Sequence, residues 1–252
     1  MKTLNFKFLG LGLGLIGLFF AATVCAQDEY LSEEELFGED VLNGGGISDP
    51  LESINRAIFQ FNDFLYLQVF DPIGQVYSAI TPDPVEQGAT NFFQNLKYPV
   101  RLVGNLLQGR FAGAWTETER FLLNSTVGVA GTMRPSDSYE RLAPIPSEDI
   151  GQALGSWGIG NGPYLVLPIF GPSTLRDLVG FVGDRAVNPL QEPFSAIDDW
   201  EWEEQFALTA SEVVTGLSSQ TARYRQMKGS SIDGYGALKN GYTQFRRAAV
   251  AE

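Results

Sequence analysis

The sequence predicts a mainly α, single-domain protein of short amphipathic helices set around an irregular Gly/Pro-rich segment. Three observations support that class. Apolar residues recur at intervals of three and four along most of the chain. No alternating run is long enough to demand a strand, Tyr164–Phe170 excepted. The segment Gly151–Asp177 holds Gly at 151, 155, 158, 160, 162 and 171 and Pro at 163, 168 and 172, a density that no long helix tolerates. Trp157, Tyr164, Leu165, Val166, Leu167 and Phe170 are interleaved there, too apolar a set for a flexible linker. Two settings fit such a stretch: a loop buried in an ordinary core, or backbone held against a hydrocarbon-bordered cavity whose surrounding helices satisfy its polar groups.

The first 26 residues read as an export signal. Lys2 and Lys7 precede the apolar run Phe8–Ala22, which is shorter than the ~20 residues of a spanning helix. Val24-Cys25-Ala26 fits cleavage before Gln27, which would remove the single cysteine of the chain. Residues 27–48, acidic and ending in a glycine run, read as a flexible tether, and the domain proper is expected over 49–248.

Asp49, Pro50 and Glu52 carry the pattern of an N-cap, a first-turn proline and a capping box. Leu51, Ile54, Ile58, Phe61 and Leu65 follow as one stripe, and Asp71-Pro72 reads as the stop. Beyond Phe64 this helix is apolar nearly all round, which suits either a core helix or one lying in a bilayer interface. Asp83-Pro84-Val85-Glu86 repeats the start signal, and that helix halts near Tyr98-Pro99. Short helices are expected over Val100–Leu107 and Arg110–Thr126. Asn91, Asn95, Asn105 and Asn124 lie on these helices, as caps, as satisfied core amides or as the lining of a polar lumen. A helix over Thr174–Val187 carries Gly180 and Gly183, which permit close backbone approach. Residues 198–228 read as the longest helix, acidic at its start and basic at its end, with Trp200 and Trp202 as core or interfacial residues. A last amphipathic piece spans Asp233–Ala248.

Composition excludes several chemistries. Without a histidine there is no Ser-His-Asp triad, imidazole base or histidine metal ligand. The net charge of −13 argues against nucleic acid and against polybasic binding to anionic lipid. Adjacent acids such as Glu148-Asp149 and Asp198-Asp199 could supply a carboxylate pair or a calcium site, but both are read as ordinary acids of a polar loop or helix start. No enzyme activity, cofactor or metal is expected.

Several motifs together resemble one family. Gly155-x-Trp157-Gly158-x-Gly160-x-Gly162-Pro163-Tyr164-x-x-Leu167-Pro168-x-Phe170-Gly171-x-x-Thr174-x-Arg176-Asp177 is similar to the signature of the MlaA (VacJ) outer-membrane lipoproteins. Asp49-Pro50-Leu51-Glu52-x-x-Asn55-Arg56 followed by Phe61-Asn62 is a second match, with Asn105, Leu107-Gln108-Gly109 and Asn124-Ser125-x-x-Gly128 among the others. The resemblance spans about Asp49 to Arg246. It implies a helical ring in the periplasmic-side leaflet of the outer membrane, with a central polar channel that returns mislocalised phospholipid from the outer leaflet. It also implies a trimeric porin and a periplasmic lipid carrier as partners, and lipidation of Cys25 in place of simple cleavage. Val24 and Ala22 depart from the usual lipoprotein signal, so cleavage is the expectation. On that reading Phe59, Phe61, Phe64, Leu65 and Phe70 embed the first helix, and Asn55, Arg56 and Asn62 take its polar side toward the lumen. Gly158, Gly160, Gly162 and Pro163 shape a channel-side loop, with Tyr164, Leu167 and Phe170 as its apolar contact. The competing expectation is a soluble periplasmic module that encloses an apolar ligand.

Overall fold

In the computed structural model, residues 47–251 are described apart from 192–194 and 198. The expectations for the signal, Cys25 and most of the tether therefore lie outside the described residues. The chain forms nine α-helices and one hairpin within this range: α1 Glu52–Leu65, α2 Asp71–Ile80, α3 Asp83–Leu96, α4 Tyr98–Leu107, α5 Phe111–Thr126, α6 Ile150–Ser156, β1 Tyr164–Leu167, β2 Gly171–Thr174, α7 Leu175–Val187, α8 Trp202–Ser230 and α9 Gly234–Ala251. It is a mainly helical single domain.

The packing order closes on itself. Helix α1 lies on β1, β2 meets α9, α9 meets α6, and α6 meets α4. From α4 the circuit runs through α3 to α8, then to α2, which rejoins α1. Helices α5 and α7 pack onto α4 and α6. The apolar interior is split into three small clusters: Tyr66 with Leu217, Phe93 with Leu190 and Ile197, and Tyr164 with Val166 and Tyr235.

The start of α1 differs from the expected capping box. Leu51 occupies the N-cap position and no side chain caps the helix. The Asp49 carboxylate instead accepts from Asn55 at 2.8 Å, from Tyr235 and from Lys239 at 3.2 Å. Nor does Asp71-Pro72 end the helix. The backbone passes from α1 through a π-helical turn, Tyr66–Phe70, into α2, where Pro72 falls in a first turn that needs no N–H. The wider turn holds back the winding by roughly a quarter of a revolution, because each π residue rotates less than an α residue. Gly74 thereby faces α8 so closely that a Cβ would sit 2.9 Å from the Ser218 nitrogen.

The Gly/Pro segment proves to be a short helix, an exposed loop and an antiparallel hairpin, with Tyr164 opposite Thr174 and Leu167 opposite Gly171. Two asparagines of α1, seven residues apart and on one face, clasp the hairpin backbone. Asn55 Nδ2 donates to Tyr164 O at 3.1 Å, while Val166 N donates to Asn55 Oδ1 at 2.9 Å. Asn62 Nδ2 donates to Leu167 O at 2.9 Å, and Ile169 N donates to Asn62 Oδ1 at 2.6 Å. Tyr66 adds its hydroxyl to Ile169 O at 2.6 Å. Ile169 has φ 73°, a left-handed conformation that costs a β-branched residue about 1–3 kcal/mol. These hydrogen bonds hold it there.

Each of the four further asparagines makes a side-chain hydrogen bond within the fold, although Asn105 Oδ1 is buried with no partner among the described residues. Asn91 donates to Thr132 O, Asn95 to Ser125 Oγ and Asn105 to Arg101 O, and Asn124 Oδ1 accepts from Ser136 N. Gly180 meets its expectation of close approach: a Cβ there would lie 2.3 Å from the Gly151 nitrogen.

Asn55→Ala leaves a buried N–H and a buried C=O of the hairpin without partners. A loss of about 1–3 kcal/mol is expected in denaturant unfolding. Asn55→Asp is expected to cost more, since a carboxylate cannot donate to Tyr164 O and faces it with like charge.

Candidate functional site

Helix α1 is amphipathic with its faces reversed. Its buried residues are Asn55 and Asn62, whereas Leu51, Ile54, Phe61 and Phe64 are exposed. The outward apolar face continues through Val69, Ile73, Val76 and Ile80, the last 76% exposed. From Ser53 to Ile80 every exposed residue is uncharged, and Arg56, Asp63 and Asp71 are turned into ion pairs.

The same reversal recurs elsewhere. Between Phe111 and Ser136 the exposed residues include Phe111, Trp115, Leu122, Val127, Val129 and Met133, with no charge among them. Along α7, Leu175, Val179 and Val182 face out while Arg176 and Asp177 face in. Charges come to the surface in other places: Asp83, Asp137–Arg141, Glu201–Glu204 and Asp233. Single exposed apolar residues are ordinary, but contiguous faces cleared of charge are not. Each such side chain left in water forgoes about 1.5–3 kcal/mol of burial. Summed over three faces, that exceeds the ~5–15 kcal/mol net stability of a domain. Among the described residues no helix is long and apolar enough to cross a membrane. The arrangement fits helices that lie along one leaflet.

Inside, polar and charged residues outnumber apolar ones among the described buried residues, twenty-five to thirteen. Lys97 pairs with Glu212 at 2.9 Å, Arg101 with Glu117 at 2.7 Å, and Arg110 with Glu148. Glu148 and Asp149, expected in an ordinary polar loop, are therefore part of the buried framework. Asp149 caps α6 by accepting from Gln152 N at 2.7 Å and pairs with Arg246 of α9. Arg246 also reaches Asp177 at 2.8 Å, and Asp177 takes the Tyr242 hydroxyl at 2.6 Å and Arg176 at 2.9 Å. Burial alone would raise the Asp177 carboxyl, but the Arg246 and Arg176 charges and the Arg246 and Tyr242 hydrogen bonds hold it below the usual range. Asp184, next to this cluster, is pushed well above that range by burial and by the Asp149 charge, although Ile150 N donates to it at 3.0 Å.

The structure divides the residues singled out in the sequence. Of those assigned to embedding, Phe61 and Phe64 face out. Phe59 turns inward to the Tyr164 cluster, edge-on to Tyr235 at 5.8 Å, and Phe70 packs with Tyr66 and Leu217. Leu65 is half-buried. Asn55 and Asn62 are occupied by the hairpin, and Arg56 bridges Glu52 and Asp233 while lying 4.3 Å over the Tyr235 ring. Gly158, Gly160 and Gly162 belong to an exposed loop, Gly158 and Gly162 at positive φ, with Pro163 half-buried at its end. Tyr164 and Phe170 are buried and Leu167 half-buried. The sequence reading missed Asp49, Asp149 and Arg246 as structural links; their partners lie tens to hundreds of residues away.

A domain whose polar residues are gathered inside and whose helices present uncharged apolar faces is a membrane-surface protein by architecture. The MlaA lipoprotein family pattern matches residues 47–249, and the chain belongs to that family. It is 34% identical over 141 residues to the intermembrane phospholipid transport system lipoprotein MlaA of Escherichia coli K12, covering 55% of this chain and 56% of that protein. The protein of the same name in Haemophilus influenzae is 30% identical over 156 residues, covering 62% and 59%. These alignments span little more than half the length of those lipoproteins. An uncharacterised protein of Rickettsia prowazekii is 28% identical over 212 residues, covering 81% and 78%. A solved structure described as the structural basis for maintenance of bacterial outer membrane lipid asymmetry superposes with a TM-score of 0.64 at 28% identity, covering 81% of this chain and 99% of that one.

The ionic cluster makes opposed predictions for two neighbouring acids. Asp177 is held low, so its stabilisation is present above the unfolded carboxylate value of ~3.9 and is lost as pH falls through the lower folded value. Asp177→Asn is expected to cost about 3–5 kcal/mol at pH 7 by stranding the buried Arg176 and leaving Arg246 with Asp149 alone. Asp184 is held high, so its contribution falls as pH rises from ~4 through the folded value. Asp184→Asn, which keeps the acceptor for Ile150 N, is expected to raise the Tm at pH 7.5, with the gain vanishing in thermal melts below about pH 4.

Proposed function

We propose that this chain is a phospholipid-transport protein of the outer membrane, seated in its periplasmic-side leaflet. It would remove phospholipid mislocalised to the outer leaflet through a polar passage framed by the ring of helices. The observation that carries the reading is the pairing of charge-free outward faces on α1–α2, α5 and α7 with an interior rich in polar groups. The first keeps the protein among acyl chains without a spanning helix. The second lets the ring hold together without a large apolar core, and a polar passage through it would spare a headgroup the several kcal/mol that moving unpaired polar groups through hydrocarbon costs. Membership of the MlaA lipoprotein family supports the same reading.

The extraction needs no covalent chemistry: the acyl chains stay beside apolar faces while the headgroup passes along polar ones. A trimeric porin as the scaffold and a soluble periplasmic carrier as the acceptor complete the proposal, with Gly158, Gly160 and Gly162 allowing the exposed loop to yield to the lipid. Ile54, Phe61 and Phe64 of α1 point out of the fold, the reverse of what an enclosed apolar-ligand pocket requires.

Phe61→Glu combined with Phe64→Glu tests the seat. A carboxylate within hydrocarbon costs about 3 kcal/mol, or roughly a hundredfold in partitioning for each site. The double variant is expected to leave the membrane fraction and to lose transfer of fluorescent phospholipid from vesicles to an acceptor. Retention in the membrane with undiminished transfer would refute the reading.

A further inference from the structure

All four tryptophans of the chain are exposed: Trp115 at 65%, Trp157 at 56%, Trp200 at 47% and Trp202 at 52%. Indole is the side chain least suited to bulk water when so large a core-forming ring could be buried, and it is favoured at the boundary between acyl chains and headgroups. The four do not share one environment. Trp115 lies within the charge-free face of α5, between Phe111 and Leu122. Trp200 and Trp202 lie among exposed Glu201, Glu203 and Glu204, and Phe206 follows one turn further along the outer side of α8. Carboxylates at that density cannot sit in hydrocarbon, yet the rings between them cannot favour open water.

The rings are held in place by a built turn. Gln205 Nε2 donates to Ile197 O at 3.1 Å and to Trp200 O at 3.0 Å, and Trp200 N donates to Ile197 O at 3.1 Å. Ile197 is itself buried against Phe93 and Leu190. The turn is thus fastened to the interior and presents both indoles outward.

We propose that the start of α8 is an interfacial anchor whose partner is the headgroup layer of the bilayer. Trp200 and Trp202 lie at headgroup depth, Phe206 reaches the outermost acyl carbons, and Glu201, Glu203 and Glu204 stay in water. This rests on the membrane seat proposed above and adds the waterline of the molecule, which crosses α8 at its first turn. It places Trp115 deeper than either anchor residue.

Depth-resolved fluorescence quenching tests this. Single-tryptophan proteins retaining Trp200, Trp202 or Trp115, the rest changed to Phe, are reconstituted in phosphatidylcholine vesicles. The vesicles contain lipid brominated either near the headgroup or near the chain end. Trp200 and Trp202 are expected to be quenched at least about twofold more by the shallow bromines, and to remain partly open to aqueous acrylamide. Trp115 is expected to favour the deep bromines. Full acrylamide quenching of Trp200 and Trp202 without lipid quenching, or a preference for deep bromines, overturns the anchor while a deeply quenched Trp115 leaves the membrane seat standing. If Trp115 is not quenched by lipid either, the seat itself fails. Should the triple changes prevent folding, Trp200→Phe with Trp202→Phe in the otherwise intact protein gives the same decision: the loss of shallow quenching upholds the anchor, and its persistence overturns it.

Discussion

A polar group that cannot reach water must find its partner within the protein, and that constraint shapes this molecule throughout. Three long faces carry no exposed charge, so the acids and bases of those helices have only one direction to turn. Glu117 of α5 meets Arg101, and Arg176 and Asp177 of α7 meet each other, while the neighbouring helices add Lys97–Glu212 and Arg246–Asp149, each pair joining segments that are separate in sequence or anchoring a helix start. Such pairs are weak stabilisers compared with packed hydrocarbon, but they are costly to break one partner at a time. A fold assembled this way is specified by complementary charge as much as by volume. The three small apolar clusters supply cohesion between these links.

The hairpin shows the same rule at the level of the backbone. Two strands leave amide groups unpaired at their outer sides, and here the primary amides of Asn55 and Asn62 stand in for the missing neighbour. Both lie on the inner line of one helix, which lets a helix pack along a hairpin with directional bonds as well as contact. Tyr66 extends that line across the π turn. The hairpin is also fixed from its far side, where Tyr235 and Tyr242 of α9 surround Tyr164 edge-on. The glycine loop that leads into β1 is exposed and held by local bonds, Gly158 N to Gly155 O at 2.9 Å and Ile159 N to Leu154 O at 3.1 Å, in place of side-chain clasps.

Much of the helical layout was legible because periodicity, proline and glycine are local signals. The ends of α4, α5 and α7 fall within a residue or two of the sequence reading. What periodicity could not supply was the sense of each face. An apolar stripe marks a buried side only when the outside is water, and when the outside is also apolar Phe59 and Phe61 look alike in sequence although one packs on Tyr235 and the other faces out. Asp49 was misread for a related reason: its local pattern is that of a cap, but Tyr235 and Lys239, more than 180 residues away, offer it stronger partners. The helix α2 was hidden by Asp71-Pro72, a pair that ends one helix as readily as it opens the next. The family motifs located the hairpin and α1 together, yet only the fold explains why: their asparagines and backbone form one bonded unit.

The π turn between α1 and α2 sets the angular phase of everything after it. Were the five residues Tyr66–Phe70 wound as ordinary helix, α2 would arrive rotated, with Asp71 swung toward the lipid side and Ile73 pressed toward Ser218 of α8. A single deletion in that stretch would be absorbed: four residues of ordinary helix turn through about 400°, nearly what the five π residues cover, so each oily residue of the next ten would keep its neighbour.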